Sequence, residues 1–189
     1  MAPGLYRLAT MLIRNGDPER DAAACAAVYA PYVTDSVATF EERPPTAEEM
    51  AGRMRAALAW VLAEEAGTVF GYAYGARHHE RAAYRWAANV AVYIDSGHHR
   101  SGVGRALYAE LFEQLREIGI WTLIAGVTQP NAASNGLHRA VGFTPVGTYR
   151  RVGWKAGAWH DVEWLQLDLR PGEPGPPDEL AIAPRQIPG

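Results

Sequence analysis

The sequence predicts one strand-rich α/β domain with a βαβ unit at its centre, and three observations carry that prediction. The stretch RWAANVAVYIDSGHHRSGVGRALYAEL, Arg85 to Leu111, reads as an apolar strand, a loop with two glycines one residue apart and a helix, and a second apolar strand follows at Thr122 to Thr128. Upstream, Trp60 to Glu64 and Val69 to Arg77 flank Glu65-Ala66-Gly67 as a hairpin, the glycine supplying the positive φ of a tight turn. The 189 residues are 48% hydrophobic, enough for a single well-buried core.

Each element has a local cause. Leu12-Ile13 forms a first strand, and Asp17 caps a helix whose first position is Pro18 and which runs to Tyr32. Thr46 and Glu49 make a capping box that opens a second helix, with Met50, Met54 and Leu58 at helical spacing. Then come a strand from Ala87 to Ile94, a helix from Gly104 to Ile118, the strand to Thr128, and a short helix from Ser134 to Val141. Strands from Val146 to Val152 and from Glu163 to Leu169 complete the domain, which spans 11–170. The remainder, 171–189, holds six of the thirteen prolines and little that packs, so it reads as an extended tail. Because the first strand begins only after Thr10, Met11 is an alternative start to Met1.

A net charge of −3 supplies no field that would draw the chain to nucleic acid or to an anionic membrane, so any bound phosphate is held locally. Cys25 is the only cysteine, which excludes an internal disulfide and suits a reducing compartment. Arg7 and Arg14 interrupt the N-terminal apolar residues before they reach signal-peptide length, and the expected location is cytoplasmic.

In HHRSGVGRA, Gly102 and Gly104 remove side chains where a strand hands over to a helix, so backbone N–H groups can converge on an anion at the positive helix end. A plain strand-to-helix turn is the alternative. A Walker loop fails for want of Gly-Lys-Ser/Thr; a dinucleotide fingerprint fails at Leu107, where it needs glycine, and at Val127-Thr128, where it needs a carboxylate.

The surviving pattern resembles the pyrophosphate loop of the GNAT N-acetyltransferases, with His99 in the place of the usual Gln or Arg. PNAASNGLHRAVGF, Pro130 to Phe143, resembles the second signature of that family. GWKAGAWHDVEWLQLDL from Gly153 to Leu169, AYRW at Ala83 to Trp86 and TFEERPP at Thr39 to Pro45 are similar to the phosphinothricin and methionine sulfoximine acetyltransferase branch. The resemblance implies a GNAT fold, a central mixed and mostly antiparallel sheet flanked by helices. It also implies acetyl transfer from acetyl-CoA to the amine of a small amino acid or toxic analogue, by direct attack in a ternary complex. Family members are commonly homodimers, and the apolar C-terminal strands would suit such an interface.

By the same resemblance, the acetyl-CoA site comprises Val92, Tyr93 and Ile94, whose backbone serves the thioester carbonyl, with His99, Arg100, Ser101, Gly102, Val103, Gly104 and Arg105 around the pyrophosphate and Asn131 and Ser134 along the pantetheine. Tyr108, one turn into the helix, takes the place of the proton donor to the thiolate. Phe40, Arg81, Tyr84, Lys155 and Trp159 match the acceptor side; the fork of Arg81 suits a carboxylate or phosphinate, although solvated surface charge is the commoner fate of Arg81 and Lys155.

One letter departs from the branch. The position of Asn89, in WAANVAVY, normally carries a glutamate base, and an amide cannot take a proton. Three readings follow: His138 serves as base, the acceptor is less basic than an ordinary amino acid, or catalysis has been lost or redirected. A working enzyme with a shifted acceptor, and His138 as base, is the favoured one. An acyl-CoA sensor without turnover is the rival from another class, and a GNAT acting on a protein terminus or an aminoglycoside is the rival enzyme. The paired histidines His78-His79 and His98-His99, with His160, lack metal-ligand spacing, so no metal is expected.

Overall fold

The computed structural model describes residues 11–176. Strands β1 (Met11–Asn15), β2 (Ala59–Glu65), β3 (Thr68–Arg77), β4 (Ala87–Ile94), β5 (Thr122–Thr128), β6 (Thr144–Lys155) and β7 (Ala158–Asp168) form one sheet in the order β1-β2-β3-β4-β5-β7-β6. Only the β4–β5 pair is parallel, so the sheet is mixed and mostly antiparallel, as expected. Helices α1 (Pro18–Thr34) and α2 (Ala47–Ala56) cover one face, and α3 (Val103–Glu117) covers the other, beside α4 (Ala132–Ala140).

The predicted caps form. Asp17 accepts from the N–H groups of Glu19 and Arg20, and Thr46 and Glu49 complete a reciprocal capping box. The period-two alternation of the strands divides the core between the two faces. Val61 and Ala63 of β2 pack in the cluster of Leu107, Leu111 and Leu115 from α3, whereas Trp60 and Leu62 pack with Cys25, Val33, Met50 and Met54 from α1 and α2.

Both hairpins turn on Ala-Gly. Ala66 and Gly67 have φ of 50° and 79°, and Ala156 and Gly157 have 50° and 74°, the left-handed pair that matches the twist of the flanking strands. The second hairpin extends both C-terminal strands beyond the predicted limits. Arg151, at φ 51°, accommodates a register shift between Tyr149 and Gly153, so one bulged strand runs through what reads as a strand end. Of the expected tail, 171–189, residues beyond 176 lie outside the described residues; Arg170, the last residue of the expected domain, donates to the carbonyl of Arg116.

The consequence for the site lies between β4 and β5. Their register runs only from Ala87–Thr122 to Asn89–Ile124, and the two strands separate beyond it. The parting of neighbouring parallel strands opens a crevice at their carboxyl ends.

Candidate active site

That crevice is a cleft of about 850 Å³. Ile94 donates its N–H to the Tyr32 hydroxyl at 3.2 Å and accepts from it at 2.6 Å, so its backbone groups face away from β3. By strand alternation Val92 and Val90 turn theirs the same way, toward the open edge. Tyr93, between them, directs its ring to the helix side, edge-on to Tyr29 at 4.7 Å and to Tyr32 at 5.1 Å.

At one end of the cleft the glycine loop meets α3. Gly102, at φ 87°, is the N-cap and brings no side chain to satisfy the first-turn N–H groups; no acidic residue stands in that turn. Gly104 has a different reason: a Cβ there would lie 2.8 Å from Cδ2 of Leu137, so its absence lets α4 pack onto α3. His99, Arg100, Gly102, Val103, Gly104 and Arg105 all line the cleft with Val92, Tyr93 and Ile94. Ser101 does not; its hydroxyl donates to the carbonyl of His98 at 2.6 Å.

Asn131 caps α4 by accepting from the N–H of Ser134 at 3.0 Å, and both residues line the opposite wall with His138. Nδ1 of His138 donates to the carbonyl of Ser134 at 2.8 Å, which leaves Nε2 to accept from the Tyr108 hydroxyl at 2.8 Å. Tyr108 is fully buried behind His138, and burial pushes its phenol well above the usual tyrosine range. Burial likewise lowers the pKa of His138, against the hydrogen bond to Ser134. Both ring nitrogens of His138 are thus engaged.

Asn89 stands at the last register position before β4 and β5 part, and its Oδ1 lies 2.9 Å from Nδ1 of His78. Arg81 and Tyr84 are exposed on the loop after β3, where the Tyr84 ring meets His78 at 5.7 Å and His79 at 5.1 Å. Lys155 lies elsewhere, donating to the carbonyls of Val33 at 2.7 Å and Thr39 at 2.8 Å. Phe40 fills the space over Gly153, where a Cβ would run into its ring. Trp159 is exposed on the β6–β7 hairpin, 5.4 Å from Trp154. The five expected acceptor residues therefore fall into three groups along one chain.

Several cleft residues carry no sequence signal. Tyr32 looks like any helix tyrosine, and Leu137 like core. Gly126, Val127 and Thr128 are legible only as the end of a strand at a switch in strand order. Cys25 is wholly buried, and burial carries its thiol up to about 12. Among the described residues no group of three His, Cys, Asp or Glu converges as metal ligands would, and no helix is long and apolar enough to cross a membrane.

A family profile for the acetyltransferase (GNAT) domain matches residues 18–164. The chain belongs to the GNAT acetyltransferase family. This GNAT enzyme is 40% identical over 159 residues to a phosphinothricin N-acetyltransferase of Alcaligenes faecalis, covering 81% of this chain and 80% of that one. It is 31% identical over 170 residues to an L-methionine sulfoximine/L-methionine sulfone acetyltransferase of Salmonella typhimurium, covering 84% and 95%. A phosphinothricin acetyltransferase of Sinorhizobium meliloti, solved in complex with acetyl-CoA, superposes with a TM-score of 0.85 at 31% identity over 91% of this GNAT chain and 96% of its own.

Proposed function

We propose that this GNAT acetyltransferase moves acetyl from acetyl-CoA to the amine of a small amino acid or toxic analogue of the phosphinothricin kind, by direct attack in a ternary complex. The observation that carries the reading is the parting of β4 and β5 beyond Asn89. It leaves β4 beyond Asn89 without β5 as a ladder partner, beside a cleft that ends at a helix N-terminus with no side-chain cap. The loop N–H groups with Arg100 and Arg105 suit a pyrophosphate, Asn131 and Ser134 suit an amide-bearing arm, and the N–H of Val92 suits a developing oxyanion.

Cys25, buried and held as a thiol, offers no route through an acyl-enzyme. The departing sulfur takes its proton on the Tyr108–His138 side. There a phenol kept protonated by burial donates to Nε2 of His138, and it is His138 that lines the cleft. Lys155 supports the acceptor side by tying the end of α1 to the Thr39–Phe40 segment, and Arg81 with Tyr84 supplies an exposed cation and ring for an acidic acceptor. We place the enzyme in the cytoplasm, where acetyl-CoA is available, as a self-protection activity.

We also propose a homodimer. Strand β6 is the sheet edge and exposes Val146, Tyr149, Val152 and Trp154, each more than half exposed, a surface that a second copy would cover. Sedimentation of the full chain tests this, and a monomer at micromolar concentration refutes it.

The activity is tested by thiol release from acetyl-CoA with phosphinothricin, methionine sulfoximine, other amino acids and an aminoglycoside as acceptors. Release with the amino-acid analogues supports the reading. Release with the aminoglycoside alone points to the polycationic class, and tight acetyl-CoA binding without release for any acceptor makes the protein a sensor.

A further inference from the structure

The reaction needs a group that takes a proton from the acceptor amine, and Asn89 cannot be that group. The remaining histidines divide by what their ring nitrogens already do. His138 donates to Ser134 and accepts from Tyr108, so neither nitrogen is open to a substrate. His99 lies 3.0 Å from the carbonyl of Ile94, and His160 3.0 Å from the carbonyl of Lys155, which makes those nitrogens donors. His79 accepts from the N–H of Arg81 on an exposed loop, and His98 is stacked on Phe70 beside Asp95.

His78 is different. Its Nδ1 meets Oδ1 of Asn89 at 2.9 Å, and a carbonyl oxygen only accepts, so Nδ1 carries the hydrogen and Nε2 of the neutral ring keeps its lone pair. An acceptor oxygen fixed on Nδ1 is the arrangement that orients a histidine for proton abstraction at the other nitrogen. The N–H of His78 still pairs with the carbonyl of Ala87 at 3.2 Å, so the residue continues the β3–β4 ladder, and its ring meets Tyr84 edge-on.

The position is right as well as the tautomer. Asn89 stands at the vertex where β4 leaves β5, one residue before Val90 and Ala91, which line the cleft. Alternation puts His78 on the sheet face of Ala76 and Tyr74, opposite α3. Ala76 is the register partner of Asn89 and, with Tyr74, Tyr93 and Arg53, lines a second cavity of about 230 Å³ on that face. The half-buried dyad thus stands next in chain or register to residues of both spaces, Val90 of the cleft and Ala76 of the second cavity.

Resting on the acetyltransferase reading above, we propose that His78, oriented by Asn89, is the general base of the reaction. The acceptor ammonium gives one proton to Nε2 of His78. The free amine attacks the thioester carbonyl, the C–N bond forms, the C–S bond breaks, and the second amine proton balances the one taken up by the sulfur. The imidazolium then returns its proton to solvent. The pair replaces a carboxylate on β4 by a base just after β3 and an amide that aims it.

The test compares wild type, His78→Gln, Asn89→Ala, and Asn89→Glu in the His78→Ala background, using the best acceptor of the panel. With His78→Gln, kcat/KM falls about 10²-fold near neutral pH, and the loss shrinks as rising pH supplies free amine from solvent. The acetyl-CoA dissociation constant stays within about twofold of wild type, which shows that the fold is kept. Asn89→Ala, which frees the ring to turn, lowers kcat more than it raises the acceptor KM. A glutamate at 89 restores about tenfold or more to the His78→Ala chain, because it puts a base back on β4. If wild type turns over and His78→Gln stays within about threefold of it at every pH, the inference fails and the acetyltransferase reading stands. If wild type releases no thiol with any acceptor, both fall.

Discussion

The hydroxyl of Tyr108 donates to Nε2 of His138 across 2.8 Å, and both side chains are buried, Tyr108 completely. Removing the hydroxyl leaves a buried imidazole nitrogen without its donor, which costs about 1–3 kcal/mol of stability, and under the proposed mechanism it removes the proton source for the departing sulfur. Tyr108→Phe is therefore expected to lower kcat by about tenfold or more while the acetyl-CoA KM holds. Steady-state kinetics with urea titration on the same preparation checks both. A variant that is destabilised but turns over at the wild-type rate would make Tyr108 a packing residue.

Gly104 sits where α3 and α4 touch, and a Cβ would lie 2.8 Å from Leu137 and 3.3 Å from Ile94. Gly104→Ala is expected to cost about 1–3 kcal/mol through overpacking and to push the cleft walls apart, raising the acetyl-CoA KM with little effect on the acceptor KM. Leu137→Val, which shortens the opposing side chain, should recover part of the loss. If the double variant binds acetyl-CoA no better than Gly104→Ala alone, the close approach is not the cause.

What the sequence made legible was local. The Asp17 cap, the Thr46–Glu49 box and the Ala66-Gly67 turn each depend on residues within a few positions of one another, and each forms as read. The glycine loop was legible because φ 87° at Gly102 and the crowding at Gly104 exclude most other residues. The length of β6 was not, because its residues are exposed on both faces and carry no alternation, and the bulge at Arg151 breaks its register. The Asn89–His78 and Lys155–Val33 contacts were not legible either. They join positions 11 and 122 residues apart, and the second depends on where a helix end comes to rest on a distant strand.

Asp21 carries a second kind of expectation, in stability against pH. Its side chain is nearly buried, which by itself raises the carboxyl pKa, but hydrogen bonds from Arg14, Arg20 and the N–H of Asp17 outweigh this and hold it well below the usual carboxylate range. A depressed folded pKa stabilises the fold above the ordinary value of 3.8, and that contribution drains away as pH falls below it. His138 acts earlier: with its pKa lowered from the ordinary 6.5, the unfolded chain takes up a proton first, so stability starts to fall below that pH. Asp21→Asn is expected to cost about 2–4 kcal/mol at pH 7, because it leaves Arg14 with Glu64 alone, and to flatten the loss below pH 4. Urea denaturation from pH 7 to 3 reads both; an unchanged acid slope in the variant would remove Asp21 from the account.

Lys155 separates two ways of using a cation at an acceptor site. Direct recognition would place its ammonium on the acid end of the substrate, whereas two of its three donors already serve the carbonyls of Val33 and Thr39, at the end of α1 and beside Phe40. Lys155→Met keeps the length and removes the donors, leaving those carbonyls unpaired and the Phe40 segment untethered. The expected result is a rise in acceptor KM of about tenfold that is similar for acceptors with and without an anionic group, with the acetyl-CoA KM unchanged. A loss confined to anionic acceptors would show that the remaining N–H bonds the substrate itself. A variant with unaltered kinetics would mean that the tether is dispensable, because Phe40 packed over Gly153 would then suffice to hold the segment in place.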